Sequence, residues 1–140
     1  LFIGIPASGK STFYKERFFH THLRISLDML NTRNKENQLL DKCLELRQCV
    51  VIDNTNPIKE ERKKYIDKFK ANNYKVIGYF FRTEPEAAVK RNKGRPDEIS
   101  ETGIWVKHKQ LETPEWEEGF DELYEVEITN SGFEVRELGK

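Results

Sequence analysis

Residues 4–12 read GIPASGKST and follow directly on the apolar triplet Leu1-Phe2-Ile3. Glycines at 4 and 9 let the backbone curl, so that successive N–H groups can point inward around an anion. The apolar triplet reads as a buried strand. The residues after Gly9 read as a helix reaching about Phe18, which adds the positive end of its dipole to the same cradle. The spacing Gly4-x-x-x-x-Gly9-Lys10-Ser11 then fits a phosphate held between strand and helix.

Working outward, strand and helix signals alternate along the chain. HLRIS (22–26) is a short strand, and a helix over about 34–47 carries Leu39, Leu40, Cys43, Leu44 and Leu46 on one stripe. CVVID (49–53) is a continuous apolar run of the kind that a parallel sheet buries on both faces. Asn56 and Pro57 read as cap and first residue of the next helix. YKVIGYFF (74–81) is a fourth strand. Thr83 and Glu86 have capping-box spacing, with Pro85 in the first turn of a helix ending near Asn92. Residues 91–98 (RNKGRPDE) read as a charged lid loop, followed by a helix over about 100–111. LYEVEI (123–128) is a fifth strand, and Asn130-Ser131-Gly132 has the composition of a hairpin turn. The expected fold is α/β, a mostly parallel five-stranded sheet with helices on both faces and a small lid, forming one domain over 1–140. LFIG reads as the end of a strand, so the natural chain is expected to begin earlier.

The composition narrows the function classes. The 140 residues are 36% hydrophobic and 34% charged, with 24 basic and 24 acidic side chains. Balanced charge lowers the expectation of extended nucleic-acid binding, although a local patch suffices for a strand end. No apolar run approaches the roughly 20 residues of a membrane helix. Cys43 and Cys49 lack the spacing and the second pair of a zinc site and read as two buried free thiols in a reducing cytoplasm. His20, His22 and His108 show no metal spacing.

The glycine loop matches the P-loop pattern. Gly4, Pro6, Ala7, Ser8, Gly9, Lys10, Ser11 and Thr12 are the expected nucleotide-binding residues. Lys10 is expected to reach the β- and γ-phosphates of ATP, and Ser11 to offer a hydroxyl to Mg²⁺. The guanine-reading Asn-Lys-x-Asp string of GTPases is missing from the sequence, and large motor ATPases need more chain. A kinase is the reading that remains.

In open α/β sheets the site lies at the carboxyl ends of the strands. Asp28 and Asp53 both stand there. Asp53, ending the strand beside the cradle, fits a metal-binding acid, with a turn carboxylate as the structural alternative. Asp28, further out, fits the general base for an acceptor hydroxyl, with a helix cap as the alternative. Arg91 and Arg95, on the lid, suit developing phosphate charge. Asn54, Thr55 and Asn56 read as an Asx-rich turn capping a helix, with shaping of the acceptor pocket as the alternative. The lysines of the 57–71 helix alternate with Glu60, Glu61 and Asp67 and read as a solvated face.

With these residues placed, the chain resembles the 5′-kinase domain of polynucleotide kinases, the end-healing enzymes, nearly end to end. GIPASGKST, ISLDML, VIDNTNP, RNKGR and KQLETPEWEEGFDELYEVEI carry the likeness. The resemblance implies that Asp28 is the catalytic acid–base and that Arg95 contacts ATP phosphates, with Arg91 in a similar place. It implies a 5′-hydroxyl nucleic-acid end as acceptor, with any end-healing partner domain outside these residues. Two departures stand out. An acceptor-binding Arg is expected three residues after the catalytic Asp, where this sequence has Asn31, with Arg33 nearby. Leu27 stands where a polar or basic residue is common. Two further readings stay open: a kinase of a small metabolite or nucleoside, and a non-catalytic ATP-binding module of a larger protein.

Overall fold

The structure, a computed structural model, describes residues 1–139. The elements run β1 (Phe2–Ile3), α1 (Lys10–Arg17), β2 (Leu23–Ile25), α2 (Leu27–Leu30), α3 (Arg33–Glu45), β3 (Val50–Ile52) and α4 (Lys59–Ala71). They continue with β4 (Ile77–Phe81), α5 (Pro85–Asn92), α6 (Glu101–Gln110), a 3₁₀ turn (Trp116–Glu118), β5 (Glu122–Thr129) and β6 (Gly132–Glu137).

Adjacent residues of one strand enter opposite cores, because side chains alternate across a sheet. Ile3, Ile52 and Phe80 pack with Leu40, Leu44, Ile66 and Phe69 from α3 and α4. Their neighbours Phe2, Val51 and Phe81 pack on the other face with Phe13 and Tyr14 from α1. That second core is largely aromatic. Phe13 meets Phe81 edge-on at 5.3 Å and Phe133 at 5.1 Å. A sheet covered on both faces explains the unbroken apolar runs in the sequence. A third, smaller cluster of Ile5, Ala88 and Ile104 fastens α5 and α6 beside the glycine loop.

The fold class is the expected one, with one difference in the sheet. Hydrogen bonding divides it into a four-stranded ladder, β1-β4-β5-β6, and a parallel pair, β2-β3. Two-residue β1 is too short to continue the ladder to β3. Instead Gly4 N–H donates to Thr55 O (3.0 Å), and Asn56 Nδ2 donates to Phe2 O (2.7 Å). The expected hairpin forms, with Thr129 paired to Gly132 across Asn130-Ser131.

Two expected caps do not form. Asn56 is buried, takes a left-handed φ of +46°, and spends its amide on β1. α4 therefore begins later, with Ile58 as N-cap and Glu112 Oε1 accepting from Lys59 N–H at 3.2 Å. The wholly buried Arg62 supports the same bend by donating to Asn56 O (2.9 Å) and Pro57 O (3.2 Å). At α5 the N-cap is Glu84, with no side-chain cap, and Pro85 at the first position starts the helix instead of a Thr83–Glu86 box.

Candidate active site

The glycine loop joins β1 to α1, and its glycines are required by its neighbours. A Cβ on Gly4 would lie 2.9 Å from both Phe81 Cβ and Ser8 Oγ. Gly9 is the N-cap of α1 with φ +93°, and a Cβ there would lie 3.0 Å from Ile128 Cδ1 and 3.1 Å from Phe133 Cε1. The β5-β6 hairpin thus presses the loop shut from behind. Ala7 also takes a left-handed φ, +62°. Pro6 and Ser8 complete the turn, and Thr12 lies exposed in the first turn of α1.

Lys10 folds back into this loop. Its ammonium donates to Gly4 O (2.9 Å) and Ile5 O (2.8 Å), with Ser8 Oγ at 3.5 Å. Burial pushes the ammonium down to about 8, while the charges of Asp53 and Asp28 pull it up and that of Arg95 lowers it further. The lysine is a buried cation whose charge is met by carbonyl dipoles. Lys10, both aspartates and Arg95 thereby share one electrostatic neighbourhood.

Asp53, at the end of β3, is buried and its backbone N–H donates to Ile25 O (2.8 Å). Its Oδ2 accepts from Ser11 Oγ at 3.0 Å. These two hard oxygen donors fit Mg²⁺, which takes few protein ligands and keeps phosphate oxygens and waters. No cluster of three or more His, Cys, Asp or Glu able to hold a metal occurs among the described residues. A third side chain joins the pair. Arg24 Nε donates to Asp53 Oδ2 at 2.7 Å, and its Nη2 donates to Ser11 Oγ at 3.0 Å. Sequence reading passed over Arg24. Its one signal was an arginine inside a short strand, one pleat before the strand end.

Asp28 lies in the first turn of the four-residue helix α2. The cap is Ser26, whose Oγ accepts from Asp28 N–H at 3.2 Å. The Asp28 carboxylate is exposed and has no hydrogen-bonding or ion-pair partner among the described residues. The two acids therefore differ as their environments differ: Asp53 is buried and engaged, Asp28 open and free.

The two arginines expected on a lid loop are placed unequally. Arg91 lies in the last turn of α5 and not in a loop, because the helix runs on to Asn92, and its Nε donates to Ala7 O at 3.0 Å, at the rim of the cradle. Arg95 forks onto Asp97, 3.1 and 2.8 Å, and that contact lowers the Asp97 carboxyl. On the acceptor side, Asn31 ends α2 with φ +69°. Arg33 turns away, donating to Tyr65 Oη (2.8 Å) and Glu36 Oε1 (3.2 Å). Its guanidinium is thus committed to the α3–α4 junction. No helix among the described residues is long and apolar enough to cross a membrane.

A strand, a phosphate-cradling turn and a Lys-Ser helix start, faced by carboxylates from two neighbouring strand ends, define a P-loop domain of the kinase type. The chain belongs to the AAA_33 family, described as an AAA domain, whose model matches residues 1–114. It is 29% identical over 133 residues to a putative bifunctional polynucleotide phosphatase/kinase of Acanthamoeba polyphaga mimivirus. It is also 29% identical over 130 residues to the bifunctional polynucleotide phosphatase/kinase of Schizosaccharomyces pombe. Each match covers 89% of the chain, which spans about a third (32%) of either relative. The likeness to polynucleotide kinases read in the sequence therefore agrees with the names of these relatives. Among solved structures the chain is similar to Chaetomium thermophilum Kti12 in complex with ADP-AlF3, at TM-score 0.62 and 17% identity, covering 93% of this chain and 90% of that one. It is also similar to a gluconokinase from Sinorhizobium meliloti 1021, at TM-score 0.59 and 14% identity, covering 92% and 81%. At these identities the likeness is one of fold.

Proposed function

We propose that this domain is an ATP-dependent kinase that transfers the γ-phosphate to the 5′-hydroxyl end of DNA or RNA. The observation that carries the transfer chemistry is the unpartnered Asp28 carboxylate in the field of Lys10, beside an Asp53 already engaged with Ser11. The relatives named as polynucleotide kinases support the choice of acceptor.

In this reading the loop amides and Lys10 bind the donor phosphates, and Lys10 gives up its bonds to Gly4 O and Ile5 O to do so. Ser11 and Asp53 hold Mg²⁺, which when bound offsets charge on the phosphates. Asp28 takes the proton of the acceptor hydroxyl, a contribution of about 10²- to 10⁴-fold. Arg95 leaves Asp97 for the transferring phosphoryl group, where its planar fork matches the oxygens. Arg91 keeps the rim of the loop in shape through Ala7 O. Partner end-healing domains belong to the parts of the relatives that this chain does not span, and a cytoplasmic setting fits the exposed thiol of Cys49.

One observation favours a second reading, a kinase of a small metabolite or nucleoside. With Asn31 in place of an arginine and Arg33 bound to Glu36 and Tyr65, no cation stands three residues beyond Asp28 to grip a second acceptor phosphate. A single assay separates the two. The protein is given γ-labelled ATP, Mg²⁺ and equal concentrations of a 5′-hydroxyl oligonucleotide, free nucleosides or gluconate. The expected result is label on the oligonucleotide, lost by about 100-fold or more in Asp28→Ala while ATP binding persists. Preferential labelling of a small acceptor overturns the polynucleotide reading. ATP binding without transfer to any acceptor points to a non-catalytic module.

A further inference from the structure

Asp28 rides on a helix of only four residues, which cannot hold itself in place. What fixes it is a chain of polar contacts, part-buried at Asn54 and buried at Glu36, that starts one residue after Asp53. Asn54 Oδ1 accepts from Leu27 N–H, the first amide of α2, at 2.9 Å. Asn54 Nδ2 donates to Glu36 Oε2 at 2.8 Å and lies 3.4 Å from Tyr65 Oη. Glu36 is 1% exposed and also accepts from Tyr65 Oη at 2.6 Å and Arg33 Nη1 at 3.2 Å. A buried carboxylate is tolerated only when its oxygens are paired, and here both are.

The chemistry of the partners fixes which way the Asn54 amide points. A carboxylate accepts and a backbone N–H donates, so the NH₂ must face Glu36 and the oxygen must face Leu27. Burial and the Glu36 carboxylate push the Tyr65 phenol well above its ordinary value, which keeps it a donor to Glu36. The backbone is tied on the same edge, since Asp53 N–H donates to Ile25 O at 2.8 Å. Consecutive residues 53 and 54 are thus fastened to residues 25 and 27. The two ties set the separation of the two acids, one on each strand end.

We propose that Asn54 is a positioning residue for Asp28, with its amide oriented by Glu36 and Tyr65. The inference rests on the assignment of Asp28 as the base in the proposed reaction. Its role differs from that of a helix cap chosen for stability, because the network ends on the one short helix that carries the free carboxylate. A misplacement of about 1 Å can cost about 10²-fold in rate.

The test uses Asn54→Ala, Asn54→Asp, Asp28→Ala and the Asn54→Ala/Asp28→Ala pair in the labelled-oligonucleotide assay. Asn54→Ala is expected to lower kcat by about 10- to 100-fold with the KM for ATP within about twofold. In the Asp28→Ala background it is expected to lower kcat no further, because the residue it positions is gone. Asn54→Asp keeps the acceptor for Leu27 N–H but sets a second carboxylate against Glu36. That repulsion is expected to leave this variant no more active than Asn54→Ala. Hydrogen exchange of the Leu27 amide, expected to quicken in Asn54→Ala while the β4 amides keep their protection, reads the tie without activity. An equal loss from Asn54→Ala in both backgrounds, or Leu27 exchange unchanged in Asn54→Ala, overturns the inference. Full transfer by Asp28→Ala overturns instead the base assignment on which it rests.

Discussion

Replacing Lys10 with methionine removes a buried charge, and the consequence can be followed through pH. Burial holds the folded ammonium at about 8, against 10.5 in a free lysine, with Asp53 and Asp28 opposing part of the loss. Below about pH 8 both folded and unfolded chains carry the proton, so stability does not change with pH on this account. Above it the folded chain has lost a proton that the unfolded chain still binds, so stability rises with pH until about 10.5. The whole gap is worth about 3 kcal/mol at about 1.4 kcal/mol per pH unit. Between pH 7.5 and 9 the gain is about 1 kcal/mol. Phosphate binding runs the other way, since only the protonated lysine captures the anion. Over the same interval the affinity for ADP is expected to weaken about eightfold. Urea melts and ADP titrations of the unmutated protein and Lys10→Met, each at pH 7.5 and 9, read both slopes. The unmutated protein should gain stability relative to Lys10→Met while losing affinity. Parallel stability curves for the two proteins, or an ADP affinity unchanged between those pH values, would refute the electrostatic account of the loop.

Arg62→Ala should be among the most damaging truncations outside the site. The guanidinium is fully buried, forks onto Glu118 at 2.8 and 3.1 Å and satisfies two carbonyls at the start of α4. Removing one partner of a buried pair costs about 3–5 kcal/mol, and a urea-midpoint change equivalent to less than about 1 kcal/mol contradicts it. Arg24→Gln strips the cation from Asp53, whose side chain is 2% exposed, and should cost about 1–3 kcal/mol in a thermal melt. Arg24→Lys should recover only part of this, because an ammonium cannot reproduce the fork that spans Asp53 and Ser11, and full recovery speaks against the bridging role.

The glycine loop was legible because local backbone chemistry forces each residue type. Gly9 must take a positive φ under the β5-β6 hairpin, and Lys10 must begin a helix there. The strands were legible because burial on two faces leaves apolar runs. Asn56 shows where local signals mislead. Asn before Pro has the chemistry of a helix start, yet the amide is recruited by Phe2 O, 54 positions away, to close the gap between β1 and β3. The Thr83–Glu86 spacing misled for a simpler reason: Pro85 already sets the first helical φ, so the box is not needed. The roles of Arg24 and Glu36 were hidden because the contacts that define them are remote. Asp53 lies 29 positions from Arg24 and Asn54 lies 18 from Glu36, and no periodicity links either pair.

The same network explains why the acceptor side departs from the polynucleotide-kinase pattern. An arginine at Asn31 would extend from a residue that ends α2 in the left-handed conformation, where asparagine is among the few side chains tolerated. Arg33 cannot move over to replace it without exposing a cost elsewhere. It is one of three donors to Glu36, and its departure leaves a buried carboxylate with a cation removed. The Arg33 charge is therefore committed to the Glu36–Tyr65 network. Under the proposed function, with Arg95 given to the transferring phosphoryl group, the cation left for the acceptor would be Arg24 on β2, which is paired with Asp53.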